Sequence, residues 1–184
     1  MKNILRGLNV YLIGMMGSGK TTVGELLAKK IHYRFLDTDA IIEKITHKTI
    51  NQIFAQEGES SFRTLESNIL KEVSAYIRTV IATGGGIIMS QDNWSHLRDG
   101  MIIWLDVPVD VLVKRLANDD TRPLLHQEDL TAKLTDLREK RESLYQQADI
   151  ILNISDQDTP EDIVEKLLRE IPFHVKPEFN PDLN

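Results

Sequence analysis

The chain contains no cysteine. Disulfides and thiolate metal sites are therefore excluded. Its five histidines are scattered, with no spacing suited to metal ligation. No apolar run approaches the roughly 20 residues that a membrane span requires. The apolar run nearest the start, "NVYLI", is short and runs straight into a glycine-rich segment, so no secretory signal is expected. Positive charge is not in excess: 22 Lys and Arg stand against 28 Asp and Glu, a net charge of −6. That balance argues against a general nucleic-acid or membrane-surface binder. Internal repeats and an NKxD guanine-recognition motif are also absent. What remains is a chain of 184 residues, 41% hydrophobic and so able to bury a core, expected to form one main domain in the cytoplasm.

The strongest signal present is "GMMGSGKTTVG", residues 14–24. Gly14, Gly19, Lys20 and Thr21 satisfy the phosphate-binding-loop pattern GxxxxGK[ST]. The context fits as well. Val10, Tyr11, Leu12 and Ile13 read as a buried strand before it, and "TTVGELLAKKI" has apolar residues at helical spacing after it. Backbone N–H groups of such a loop cradle phosphate oxygens, and the helix N-terminus adds its positive dipole end. Lys20 is placed to reach the β- and γ-phosphates of a nucleoside triphosphate, and the Thr21 hydroxyl to ligate Mg²⁺.

Short apolar strands are predicted near 8–13, 34–37, 79–83, 101–105 and 149–153. Helices are predicted over about 20–31, 40–46, 50–56, 60–76, 108–117, 130–147 and 160–170. This alternation implies an α/β fold with a parallel sheet and helices on both faces. Ligands in such folds bind beyond the carboxyl ends of the strands. Two stretches interrupt the alternation. Residues 38–66 form an insertion able to build a small substrate lobe. Residues 116–129 are polar with a central proline, as in a mobile lid. Residues 172–184 hold three of the six prolines and read as a disordered or surface-docked tail, leaving 1–171 as the domain.

The chemistry-bearing residues fall after the strands. Asp37 and Asp39 are two apart and share a side of an extended segment. Beside a phosphate loop they suit a Mg²⁺ water shell and an accepting hydroxyl, although Asp39 could instead cap the next helix. Arg63 and Glu66 are neighbours on one helical face, giving either an exposed ion pair or an arginine fork for a carboxylate, steadied by Glu66. The Gly84, Gly85, Gly86 run lets backbone amides approach a ligand closely. Asp106 resembles a metal-binding aspartate at the end of a strand but could equally serve the helix that follows, so Asp37 ranks above it. Arg122 lies in the lid, where it could close over transferring phosphates. Arg138 and Arg141 are again i and i+3, and one of them could point inward.

Taken in order, GxxGxGKTxxG at 14–24, DTD at 37–39, FRxxE at 62–66, GGG at 84–86, RPLL at 122–125 and RxxLY ending at Tyr145 resemble shikimate kinase over roughly residues 8–170. The resemblance implies a P-loop kinase fold like that of nucleoside monophosphate kinases. It implies a five-stranded parallel sheet, a shikimate-binding lobe at 38–66 and a closing lid. The implied activity is transfer of the ATP γ-phosphoryl group to the 3-hydroxyl of shikimate, in the cytoplasm, by a monomer with Mg²⁺. Asp39, Arg63, the glycines Gly84, Gly85 and Gly86, and Arg141 would bind shikimate. Gly17, Ser18, Gly19, Lys20, Thr21 and Thr22 would hold the ATP phosphates, and Arg115 and Pro160 would contact adenine. Thr21 and Asp37 would serve Mg²⁺. Lys20, Asp39 and Arg122 would be catalytic. The rivals are a gluconate or nucleoside monophosphate kinase of the same build, and an inactive nucleotide-binding relative.

Overall fold

A computed structural model describes residues 5–117 and 130–175. Five parallel strands form one sheet: β1 (Val10–Ile13), β2 (Arg34–Asp37), β3 (Thr79–Ala82), β4 (Met101–Asp106) and β5 (Ile150–Asn153). Their spatial order is β2-β3-β1-β4-β5. The three inner strands read VYLI, TVIA and MIIWLD, and are buried almost throughout. A strand covered on both faces carries a continuous apolar run rather than an alternating one. The edge strand β5, IILN, alternates buried and exposed residues instead.

Strand order places the site. The chain leaves β1 for β2 and β3 on one side, then crosses to β4 and β5 on the other. A crevice opens at that reversal, beyond the carboxyl ends of β1, β3 and β4. Pairing of Leu12 with Ala82 and of Ile13 with Trp104 brings together the loops that start at Gly14, Thr83 and Val107.

The helices are α1 (Lys20–Ile31), α2 (Thr38–Thr46), α3 (Ile50–Ser74), α4 (Gln91–Leu97), α5 (Val109–Leu116), α6 (Leu130–Tyr145) and α7 (Pro160–His174). Three differ from the sequence expectation. The separate helices expected over 50–56 and 60–76 are one kinked element, α3. Gly58 breaks its geometry at φ 83° and ψ 169°, and helix resumes at once on the far side. Helix α4 was not expected. Its seven residues are too few to show a period, and it is fixed by side-chain bonds from Asn93 to the Ile87 carbonyl and from Trp94 to the Ile88 carbonyl. Helix α7 runs to His174, past residue 170, because buried Ile171 still packs and Pro172 sits in the last turns, where few hydrogen bonds depend on it. Its start is a capping box between Thr159 and Asp162, with Pro160 at the first helical position.

Candidate active site

The phosphate loop is built from left-handed backbone. Gly14, Gly17 and Gly19 have φ of 144°, 76° and 91°, a region that side-chain-bearing residues rarely adopt. Gly14 is also sterically required, since a Cβ there would stand 2.9 Å from the Leu105 carbonyl oxygen. Gly19 occupies the N-cap of α1, so the N–H groups of the first helical turn open onto the loop. The Lys20 ammonium donates to the Gly14 and Met15 carbonyls, both at 2.9 Å, which holds it across the mouth of the loop.

A cleft of about 300 Å³ adjoins this loop, and Gly17, Ser18, Gly19, Thr22, Arg115 and Pro160 all line it. The two residues expected to flank a base, 45 positions apart in sequence, thus face one space beside the phosphate loop. Arg115 Nη1 donates to the Gly17 carbonyl at 3.3 Å, tying α5 to the loop. Asp158 lines the same cleft and was not singled out in sequence. It accepts from the Ser155 N–H, the Ser155 hydroxyl and Lys166 at 2.6–3.0 Å. The Lys166 hydrogen bond, followed by that of the Ser155 backbone, holds its carboxyl below the usual range. Arg122 lies outside the described residues, as does most of the 116–129 segment.

Asp37 joins two structures. Its Oδ1 accepts the N–H groups of Asp39 and Ala40 at 3.0 and 3.2 Å, making Asp37 the N-cap of α2. The cap considered for Asp39 therefore belongs to Asp37. The other oxygen, Oδ2, accepts from the Thr21 hydroxyl at 2.7 Å. Thr21 and Asp37 form an all-oxygen pair at the edge of the phosphate loop, the donor chemistry a hard cation selects. Among the described residues no cluster of three or more His, Cys, Asp or Glu could enclose a metal. Asp106 is otherwise engaged. Arg138 grips it with two hydrogen bonds of 2.7 and 3.2 Å.

A second pocket forms across the crevice, around the glycine run after β3. Thr38, fully buried, accepts the Gly84 N–H at 3.1 Å. Gly84 lies against two carboxylates, for a Cβ there would overlap Glu66 Oε1 and stand 2.9 Å from Asp39 Oδ1. Gly86 lies against the Arg63 guanidinium, which a Cβ would also overlap. Gly85 touches the phosphate loop itself: its Cβ would sit 3.5 Å from the Gly14 carbonyl oxygen and 3.6 Å from the Met16 nitrogen. Arg141, from α6, donates to the Gly85 carbonyl at 3.1 Å. Asp39, Arg63, Arg141 and all three glycines therefore converge, although they come from four separate segments. Of the two arginines on α6, both are half-buried rather than one: Arg138 on Asp106, Arg141 on Gly85.

Electrostatics in this pocket are unequal. Arg63 bonds Glu66 at 2.7 Å and Glu59 at 3.1 Å. Glu66 is only 1% exposed against 26% for Arg63. Burial therefore dominates at Glu66 and pushes its carboxyl up, with the nearby Asp39 charge adding to the effect, while Arg63 and Arg141 oppose it. At Arg63 burial works against the charge, yet the Glu66 and Glu59 carboxylates outweigh it and the guanidinium is held more firmly protonated. The Oε1 atom of Glu66 is buried and accepts no hydrogen bond among the described residues. Such a group marks a functional site or stored strain.

A family model described as shikimate kinase matches residues 16–172 of this chain. The shikimate kinase of Microcystis aeruginosa is 54% identical over 180 residues, covering 98% of this chain and 94% of that one. Among solved structures, shikimate kinase from Acinetobacter baumannii in complex with shikimate superimposes with a TM-score of 0.85 at 40% identity, over 89% of this chain and 92% of that one. A gluconokinase from Sinorhizobium meliloti reaches a TM-score of 0.63 at 16% identity, over 97% of this chain and 98% of that one, which is a likeness of fold alone.

Proposed function

The chain belongs to the shikimate kinase family, and from that premise we propose that it transfers the γ-phosphoryl group of ATP to the 3-hydroxyl of shikimate. The products are shikimate 3-phosphate and ADP, a step toward chorismate and the aromatic amino acids. One observation carries the reading: the pocket of Asp39, Arg63 and Arg141 abuts the phosphate loop at Gly85, within van der Waals reach of Gly14 and Met16. An acceptor held in that pocket is next to the phosphates. Gluconate and nucleoside monophosphate kinases share the fold, and gluconate also carries a carboxylate that paired arginines would suit, so it is family membership that disfavours those alternatives.

Roles follow from chemistry. Arg141 and Arg63 bind the carboxylate through charge-assisted hydrogen bonds. Asp39 orients the 3-hydroxyl and takes its proton as the oxygen attacks the γ-phosphorus and the bond to the β-phosphate oxygen breaks. Lys20 swings from the loop carbonyls onto the β- and γ-oxygens, with the N–H groups of Gly17, Ser18, Gly19, Thr21 and Thr22 around the phosphates. Arg115 and Pro160 flank the adenine. Thr21 and Asp37 would hold Mg²⁺, which when bound offsets the charge of the β- and γ-phosphates. Arg122, from a lid at 116–129, stabilises the transferring group, and lid closure limits loss of ATP to water. Residues 38–66 serve as the shikimate lobe, the domain extends to the end of α7 at His174 rather than stopping at 171, and the rest of the 172–184 tail lies outside the chemistry.

We further place the enzyme in the cytoplasm as a monomer, with no nucleic-acid or membrane partner. Among the described residues no helix is long and apolar enough to cross a membrane. Sedimentation with and without ligands tests the monomer. The function is tested by ADP release with Mg-ATP and shikimate, quinate, gluconate or AMP, beside a control without acceptor. Turnover with shikimate alone is expected. Turnover only with another acceptor would reassign the pocket, and none with any acceptor despite ATP binding would favour an inactive relative.

A further inference from the structure

We propose that Tyr145 is a positioning residue for the carboxylate end of the acceptor, acting by fixing the peptide unit between Gly85 and Gly86. Its side chain is 1% exposed and its hydroxyl donates to the Gly85 carbonyl at 2.9 Å. Arg141 Nη1 donates to the same oxygen at 3.1 Å. A carbonyl oxygen has two lone pairs, and these two donors fill them. The carbonyl is therefore tied to α6 twice, at positions i and i+4 of one helical face.

The consequence lies on the other side of the peptide plane. A trans peptide unit points its C=O and N–H in opposite directions, and the described chain has no cis bond. Holding the Gly85 carbonyl toward α6 thus turns the Gly86 N–H away from α6. Gly86 lies directly against the Arg63 guanidinium. The amide is presented beside Arg63, where a carboxylate bridging Arg63 and Arg141 could accept it as a further hydrogen bond. The same two-donor arrangement limits where the Arg141 fork can sit, because Tyr145 occupies the other half of their common acceptor.

Tyr145 is itself held rigidly. Its ring stacks on Trp104 with centroids 5.3 Å apart and planes 16° apart. Trp104 lies on β4 opposite Ile13, the last residue before the phosphate loop. One helical turn earlier than Arg141, Arg138 anchors α6 to the end of β4 through Asp106 and the Val107 carbonyl. Burial pushes the Tyr145 phenol up, so it remains a donor at neutral pH.

This inference rests on the shikimate reading, and wild-type turnover of shikimate tests that reading separately. The variant is Tyr145→Phe, which deletes the donor, keeps the stacked ring and leaves Arg141 on the carbonyl. The KM for shikimate should rise about fivefold, the effect of one net hydrogen bond. The KM for ATP should change less than about twofold, since no phosphate contact is lost. The decisive comparison uses shikimate methyl ester, which keeps the hydroxyls and loses the carboxylate charge. The ratio of variant to wild-type KM should fall to about one for the ester. KM ratios do not depend on the amount of folded enzyme, so a loss of stability cannot mask the result. An unchanged KM for shikimate, an equal rise for ATP, or the same ratio for ester and acid would each overturn the proposal.

Discussion

Replacing Gly84 by alanine should damage both stability and acceptor binding, and the structure sets the size of the effect. Gly84 does not use the left-handed region of backbone space, so alanine meets no backbone penalty there. The obstacle is the added Cβ, which would overlap Glu66 Oε1 and approach Asp39 Oδ1 to 2.9 Å. Asp39 is half-exposed and near the start of α2, so it can yield. Glu66 cannot yield cheaply, because it is 1% exposed and bonded to Arg63 at 2.7 Å. Overpacking of this kind costs about 1–3 kcal/mol. For a chain of this size that lowers Tm by roughly 2–12 °C, at about 2–4 °C per kcal/mol. Any displacement of Glu66 also moves Arg63, so the KM for shikimate should rise while that for ATP holds. Thermal melts followed by circular dichroism, together with steady-state kinetics, read both effects. The reasoning has an internal control in Glu66→Ala, which removes the obstructing oxygen. On that background the Gly84→Ala change should cost less than about 0.5 kcal/mol, the ordinary scale of a substitution that meets no obstacle. Wild-type melting of Gly84→Ala, or the same loss with and without Glu66, would refute the steric account.

Lys20→Ala should lower turnover by more than about 100-fold, the scale of losing one electrostatic contact to the reacting group. Its melting should stay near wild type, and near-normal activity would remove Lys20 from the mechanism. Arg141→Ala should raise the shikimate KM roughly 10- to 100-fold, as expected for charge-assisted hydrogen bonds; calorimetry showing an equal loss for ATP would contradict its role. Glu66 also predicts a pH effect with a definite sign. Its carboxyl is pushed up in the folded state, chiefly by burial, so the folded protein holds that proton more tightly than the unfolded chain. Its contribution to stability is full below the ordinary glutamate range and is lost as pH rises through the raised folded value. Urea unfolding across that window should show wild type losing stability relative to Glu66→Gln, and parallel curves would count against a raised carboxyl.

What could be read from sequence was the chemistry that needs contiguous residues. The phosphate loop must present successive amides, so Gly14 to Thr22 are legible as a string. The inner strands are legible because burial on both faces demands unbroken apolar runs. The helices expected over 50–56 and 60–76 left a gap where Gly58 breaks the geometry, but their union into one kinked element, α3, was not legible, since direction after a kink is set by packing. Asp106 is the instructive case. Its place at the end of β4 suggests a metal ligand, yet Arg138, 32 residues on, claims both its oxygens. Asp158 was hidden for a related reason. Asp156, Asp158 and Asp162 look alike in sequence, and only the approach of Ser155 and Lys166 distinguishes Asp158.

The same partner-dependence resolves how an acidic chain can hold two anionic substrates. A net charge of −6 works against anions at long range, where salt screens it within about 8–10 Å. Inside the crevice what matters is which cations are already neutralised. Arg138 is committed to Asp106, and Arg63 shares its charge with Glu66 and Glu59. Arg141 is held by a carbonyl, a neutral acceptor that orients the guanidinium without cancelling it. Its charge therefore remains available to an incoming carboxylate, whereas Arg63 must divide its own among three acceptors. On the proposed reading Arg63 would supply geometry and Arg141 most of the attraction, which is why the larger loss of acceptor affinity is expected at Arg141.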